Sequence, residues 1–364
     1  MTALDGVTAM ELEHLVFMAT CAPSVHNTQP WEFVPTGDGV LVRQDRTRQL
    51  SVLDPEGREL LVSCGTAVHH LQVAARALSL VCTVELLPTG SGPDAVARIG
   101  LARGRSATVA QVAEAVAILH RHTSRGRFSE DRLPAALLDR LRAAVEEQRG
   151  MFRVVHEDEL TAVQVLVSRA EQHLHNTPGY ADELARWVHP PGPEHYDDGL
   201  PAAAVDHGGD RAESLPGRDF GPGELLRPGQ APLTDRAPTD PALADPALAD
   251  PALADRALAD PGSPDPPPAE HPTVVLLSTL ADSPLDWLQA GQSLSALLLA
   301  ATNQGVVAQP IGQVVDIPAA RWALQEHLGT VGAPQMLLRL GFGRSVDAPL
   351  SPRRPVGDVL HGPG

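Results

Sequence analysis

Leu12, Leu15, Val16 and Ala19 recur at i, i+3, i+4 and i+7 behind Thr8 and Glu11 in capping-box spacing, which predicts an amphipathic helix over residues 8 to 20. Glu32-Phe33-Val34 and Val40-Leu41-Val42 flank a Gly37-Asp38-Gly39 turn and read as a hairpin. Val68, Leu71, Ala75 and Leu78 then mark one stripe of a long helix over residues 58 to 80, followed by a strand over Val81 to Leu87. Near residue 105 the pattern restarts. Thr108 and Gln111 repeat the capping-box spacing, and Val112, Ala115, Val116 and Leu119 repeat the stripe. A helix from Leu133 to Gln148 stops at Gly150, and the strand Met151 to Val155 follows. Further on, the pattern predicts a strand over Thr273 to Leu277, a helix over Leu285 to Gln304, a loop at Gln309-Pro310-Ile311-Gly312, a helix over Ala319 to Leu328 and a buried strand over Gln335 to Gly341.

Helix-then-strand order therefore occurs twice, and the long helix of the second half pairs with that of the first, which makes a case for internal duplication. Between the halves, residues 190 to 272 hold more than half of the chain's 34 prolines. This stretch contains three Pro-Ala-Leu-Ala-Asp units from Pro241 and one Arg-Ala-Leu-Ala-Asp unit at Arg256. A period of five fits neither helix nor strand, and the prolines remove helix donors, so a disordered linker is expected there. Its N-terminal part is less simple. Tyr196 to Pro201 and Arg218-Asp219-Phe220 keep apolar and charged anchors, which suit either a surface flap or a plain crossing.

At 364 residues the chain can bury one large core or two ordinary ones. A formal charge of -17 argues against nucleic acid or an anionic membrane as partner. All 28 positive side chains are Arg, so a phosphate site must use Arg or backbone donors, and no Schiff-base lysine exists. Three cysteines at no metal-like spacing fit a reducing cytoplasm. Neither an export leader nor a membrane-spanning run is indicated. The adjacent His69 and His70 point in different directions on a helix, and His26, His156 and His173 are isolated; core or surface roles suit them better than metal binding. No GxSxG elbow marks a serine hydrolase.

Two segments carry candidate chemistry. Residues 22 to 33 join a helix to a strand through two prolines, Ser24, His26, Asn27, Gln29 and Trp31, a stiff loop rich in hydrogen-bonding groups. It suits a planar polar ligand, or a turn that only ends the helix. Arg121-His122-Thr123-Ser124-Arg125 offers two guanidinium forks, an imidazole and hydroxyls within five residues. That group suits a phosphate dianion; the alternative is a solvated basic patch favoured by the helix dipole.

Pro23 to Trp31 resembles the Pro-Ser-x-x-Asn-x-Gln-Pro-Trp signature of the nitroreductase family, in particular its Acg-like branch, in which two nitroreductase-like halves share one chain. The resemblance implies an α+β fold, a nitroreductase-type sheet wrapped by helices, with the two fused halves forming a pseudo-dimer. The halves are expected at residues 1–107 and 108–364, the second carrying the insertion at 190–272 as a lid or linker. It also implies FMN, for which the loop supplies Pro23, Ser24, His26, Asn27 and Gln29. The second basic segment is similar to the family's Arg-[Arg/His]-Ser-x-[Arg/Lys] phosphate motif, through Arg121, His122, Thr123 in the Ser place, and Arg125. Arg125 is then expected near N1 and the C2 carbonyl of the flavin, where a cation raises the potential. Gln309, Pro310, Ile311 and Gly312 match the turn whose backbone N–H groups approach N5, and Arg353 and Arg354 resemble the C-terminal residues that close on the phosphate. Only the first half has the Asn27 loop and only the second has the phosphate motif, so one composite site is expected. The absence of a GxGxxG fingerprint agrees with FMN rather than FAD. Implied too are hydride transfer from NAD(P)H through FMN to a small-molecule quinone, nitroaromatic or similar acceptor, with no catalytic side chain required. The alternative is a lid-covered flavin-holding protein with little turnover.

Overall fold

The computed structural model describes residues 6–190, 195–202, 218, 270–343 and 351–362. Helix α1 (Ala9–Thr20) closes its N-terminus with the Thr8–Glu11 capping box and hands the chain to a short turn at Val25–Asn27. The hairpin β1 (Trp31–Pro35) and β2 (Gly39–Gln44), the helix α2 (Arg58–Ala77), and the strands β3 (Leu80–Leu86) and β4 (Ala95–Arg103) follow. The Thr108–Gln111 capping box then opens α3 (Val109–His120), and α4 (Ala135–Glu147) leads into β5 (Met151–Val154). After α5 (Glu157–Asn176) and α6 (Tyr180–Arg186), the pairs Val188–His189 (β6) and Leu200–Pro201 (β7) form a small parallel ribbon. Strand β8 (Thr273–Thr279), α7 (Pro284–Thr302), β9 (Val306–Ile311), α8 (Gln313–Asp316), α9 (Pro318–Leu328), β10 (Ala333–Phe342) and α10 (Val356–Val359) complete the described elements.

The molecule is α+β, and its two four-stranded antiparallel sheets share one topology. The first runs β1-β2-β4-β3 and the second β5-β8-β10-β9, so each places its own strands in the order first, second, fourth, third. In each half, one long helix connects the second strand to the third. Those helices, α2 and α7, pack on each other across the centre. They approach so closely that a Cβ added at Gly65 would lie 2.2 Å from the Leu288 carbonyl oxygen, and one at Gly291 2.0 Å from that of Val62. Four residues on, His69 Nδ1 and Ser295 Oγ meet at 2.8 Å. The reciprocity is that of a two-fold contact. One apolar cluster runs through α1, α2, α3, α4, α7 and both sheets, while a second, built on α5, α8 and α9, covers the other face of the second sheet.

Gln309, Pro310 and Ile311 are the end of strand β9, not a loop. The apolar run from Val306 pairs with Leu337–Phe342, and β9 is an edge strand, which tolerates the missing N–H of Pro310. The Pro-Ala-Leu-Ala-Asp repeat and Asp219-Phe220 lie outside the described residues. Among the described residues no helix is long and apolar enough to cross a membrane.

Candidate functional site

The loop after α1 is held in an unusual backbone. His26, Asn27 and Gln29 adopt φ values of 45°, 56° and 49°, the left-handed region, which costs non-glycine residues energy and persists only where contacts enforce it. Those contacts are present. Helix α2 grips the loop through Ser63 Oγ, which accepts from the Val25 amide at 3.1 Å, and Thr66 Oγ1, which donates to the Pro23 carbonyl at 2.6 Å. Ser24 Oγ accepts from the Gln29 amide at 3.0 Å. Asn27 Nδ2 donates to the carbonyls of Gly199 and Pro352, each at 2.9 Å, and its Oδ1 accepts from Arg353 Nη1 at 3.1 Å. Gln29 Nε2 donates to the Asp197 carbonyl at 2.8 Å, and its Oε1 accepts from the Arg354 amide at 2.8 Å. The buried Asn27 and Gln29 thus join the loop to the start of the insertion and to the C-terminal segment.

That C-terminal segment belongs to the second half in sequence and to the first in space. Leu360 bridges Phe33, and the His361 amide donates to the Phe33 carbonyl at 2.9 Å. It also sets the two arginines apart. Arg354 Nη1 donates to the carbonyls of Gln29 and Trp31, at 3.1 and 3.3 Å, and so fastens the loop backbone. Arg353 is turned inward, with Nη2 3.4 Å from the Cys21 carbonyl and Nε buried without a hydrogen-bond partner.

Arg121 meets Arg353 there. It caps the end of α3, is buried, and its Nε also lacks a partner. A solvated patch would expose such a side chain. Instead burial and the Arg353 charge push the Arg121 guanidinium down to about 9, while burial lowers Arg353 too. A desolvated pair of like charges of this kind is stabilised by an anion between them. His122 turns to solvent, its Nδ1 3.1 Å from the His120 carbonyl. Thr123 forms a parallel bridge with Ala308, and the Ser124 amide donates to the Ala308 carbonyl at 2.9 Å, which docks the motif beside β9. Arg125 is half-buried, and desolvation pushes it down to about 10. Burial drives His26 well below its usual value, and Arg218 and Arg125 add to this, so both guanidiniums face the imidazole.

The β9 end of the site is less open to a ligand. Gln309 Oε1 accepts from Arg339 Nη1 at 2.7 Å inside the core, and Ile311 is fully buried. Gly312 begins α8 with φ -76°, and a Cβ there would lie 3.2 Å from both Arg218 Nη2 and Asp316 Oδ2. Arg218, from the insertion, pairs with Asp316 and donates to the Tyr180 hydroxyl at 3.0 Å. Asp316 also meets Arg58 and the neighbouring Glu59, whose carboxyl burial raises to about 8 despite Arg58. Three sequence-predicted segments therefore converge: the Asn27 loop, the Arg121–Arg125 segment and the C-terminal arginines. Gln309 stands apart in the core. Cys21 and His70 at this centre, and the Arg58–Glu59–Asp316 group at the Arg218–Gly312 end, carried no motif of their own. Arg218 and Asp197 to Leu200 were visible only as anchors in a Pro-rich stretch.

The chain matches no protein-family model. Among curated proteins it is 31% identical over 353 residues to a Mycobacterium tuberculosis protein named "Putative NAD(P)H nitroreductase", covering 95% of this chain and 90% of that one. It is 27% identical over 363 residues to "Putative NAD(P)H nitroreductase acg" of the same organism, covering 98% and 96%. An uncharacterized protein of that organism is 28% identical over 356 residues, covering 96% and 92%. Among solved structures, a nitroreductase with bound FMN from Bacteroides fragilis aligns with a TM-score of 0.33 and 14% identity, over 66% of this chain and 93% of that one. With its relatives matched almost end to end, the chain belongs to the nitroreductase family, in its Acg-like branch.

Proposed function

We propose that this protein is an FMN-dependent oxidoreductase that passes hydride from NAD(P)H to a quinone, nitroaromatic or similar small acceptor. The observation that carries the reading is the pair Arg121 and Arg353 beside the Asn27 loop, each with a buried, unpartnered Nε and with no carboxylate acting on either among the described residues. That donor set fits a phosphate monoester. In this reading Arg121, Arg353 and Thr123 hold the phosphate end, while the strained loop from Ser24 to Gln29 and Arg125 border the ring end. The two halves stand in for the two subunits of a dimer, and one site forms between them. FMN, when bound, supplies the hydride-accepting and hydride-donating centre.

What the chain's own residues do follows from their contacts. Arg354, Ser63 and Thr66 keep the loop in its left-handed backbone, so the ligand need not order it. Arg125 adds positive charge that favours a reduced, anionic flavin. Asp197 to Gly199 and Arg218 lie against the loop and the Gly312 turn, and so limit the entry of water and of the nicotinamide. That last feature also favours a second reading, a flavin-holding protein that turns over slowly.

Reconstitution with FMN followed by anaerobic stopped-flow mixing with NADPH and with NADH separates the two. About one FMN per chain is expected, because this reading has one composite site, and its absorbance should bleach on addition of at least one nicotinamide. Two flavins per chain would sink the composite site. Tight FMN that neither nicotinamide bleaches would favour the flavin-holding reading.

A further inference from the structure

His70, on α2, is fully buried, and no motif singled it out for a ligand. Its Nδ1 lies 3.3 Å from the Met18 carbonyl oxygen, in the last turn of α1, so the proton of a neutral ring belongs on Nδ1. Nε2 is then a bare acceptor, and it is buried without a partner, as are the Nε–H donors of Arg121 and Arg353. All three belong to one cluster. Arg353 reaches the Cys21 carbonyl one turn of chain beyond Met18, and the Cys21 thiol faces both Arg353 and Arg121. Among the described residues, the charged and titratable groups acting on the ring are Arg121 from the end of α3, His69 from its own helix, and Arg353 from the C-terminal segment, and none of these is a carboxylate.

We propose that His70 is a third ligand of this anion site, and that a phosphate dianion enters together with one proton taken from solvent onto His70 Nε2. This rests on the reading of Arg121 and Arg353 as the phosphate end. A bare Nε2 would turn its lone pair on the phosphate oxygens, whereas a protonated Nε2–H donates a charge-assisted hydrogen bond. Before the anion arrives, burial, Arg121, His69 and Arg353 all disfavour imidazolium, so His70 is neutral near pH 7. A dianion reverses the sign of the local field. Binding is therefore linked to proton uptake, and affinity falls as pH rises through the range where only the bound site is protonated.

Calorimetry of FMN and riboflavin binding at pH 7, in two buffers of different ionisation enthalpy, counts the proton. The wild-type chain should take up about one proton with FMN and none with riboflavin. H70N keeps a partner for Met18 and removes Nε2; it should weaken FMN by roughly ten-fold or more at pH 6.5 and leave riboflavin unchanged. H70Q restores a neutral donor and should recover part of that affinity with no proton uptake. FMN binding by the wild type without proton uptake overturns the proposal whether or not either variant folds, as does H70N with unchanged affinity and pH dependence. If neither flavin binds, the flavin reading fails, and inorganic phosphate becomes the probe. A rise in wild-type Tm with phosphate that is absent in H70N keeps the anion site; no rise removes it.

Discussion

Asn27 uses both amide protons and its carbonyl oxygen on the chain itself, bonding Gly199, Pro352 and Arg353 while its own φ is 56°. Replacing it by Ala strands the buried Gly199 carbonyl, a loss on the order of 1 kcal/mol or more, and takes one partner each from the Pro352 carbonyl and Arg353 Nη1, which remain bonded to each other. N27A should therefore destabilise the chain by about 1–3 kcal/mol in urea unfolding and weaken FMN and riboflavin alike, because the loop that borders the ring loses its shape. Arg121 behaves differently. R121A removes only the phosphate end, so FMN affinity should fall roughly ten- to a hundred-fold while riboflavin affinity stays constant. Unchanged FMN affinity in R121A would return this side chain to the status of a buried basic residue. Sequence pattern flagged both residues, since Pro-Ser-x-x-Asn-x-Gln-Pro-Trp and the Arg121 segment are local. It could not show what they touch: the partners of Asn27 lie 172, 325 and 326 residues away. His70 sits in an apolar stripe and reads as a core residue until its neighbours are known.

The elements most legible in the sequence are those with a local signal. Both capping boxes close as their spacing implies, and α2 and α7 begin and end within three residues of the expected bounds. Strand β4 was not legible: Ala95-Val-Ala-Arg-Ile-Gly-Leu-Ala-Arg103 is poor in strand formers, and it exists because β2 and β3 flank it on either side. Glycines serve that pairing: a Cβ at Gly100 of β4 would stand 2.5 Å from Thr83 Oγ1 on β3, and one at Gly39 of β2 would stand 1.8 Å from the Ile99 carbonyl oxygen. Helix α5 buries Val163, Val167, Ala170 and Leu174, a stripe at helical spacing that is legible in the sequence although no motif marks it. At the α2–α7 crossing a more severe test is available. Gly65 faces backbone, and backbone cannot swing aside as a side chain would. G65A should therefore cost on the order of 1–3 kcal/mol or more in thermal or urea unfolding, although Ala is the better helix former by up to about 1 kcal/mol. An unchanged or raised Tm would mean that the helices are not in contact at this point.

For the whole molecule, the buried titratable groups set how stability depends on pH. Burial holds His26 and His70 well below 6.5 and takes His69 to about 3, so unfolding lets all three bind protons below about pH 6.5. Stability from these groups rises with pH toward that value. Two carboxyls act the other way. Burial raises Asp54 from 3.8 to about 6 and Glu59 from 4.5 to about 8, so the folded chain keeps protons that the unfolded chain releases, and their contribution is lost as pH rises through those windows. Between about pH 4.5 and 6 the three histidines outweigh the two carboxyls, and the net slope is upward. Above about 6.5 the unfolded histidines lose their remaining protons over roughly the next pH unit, and Glu59 bends the curve down until about 8. Urea unfolding of the flavin-free chain in phosphate-free buffers should accordingly show a maximum near pH 6.5. E59Q tests the cause, because Gln keeps the shape and hydrogen-bonding capacity and loses the proton equilibrium. In E59Q the falling limb between about pH 6.5 and 8 should become a plateau. A wild-type curve that is flat or rising over that interval would mean that Glu59 is already ionised beside Arg58.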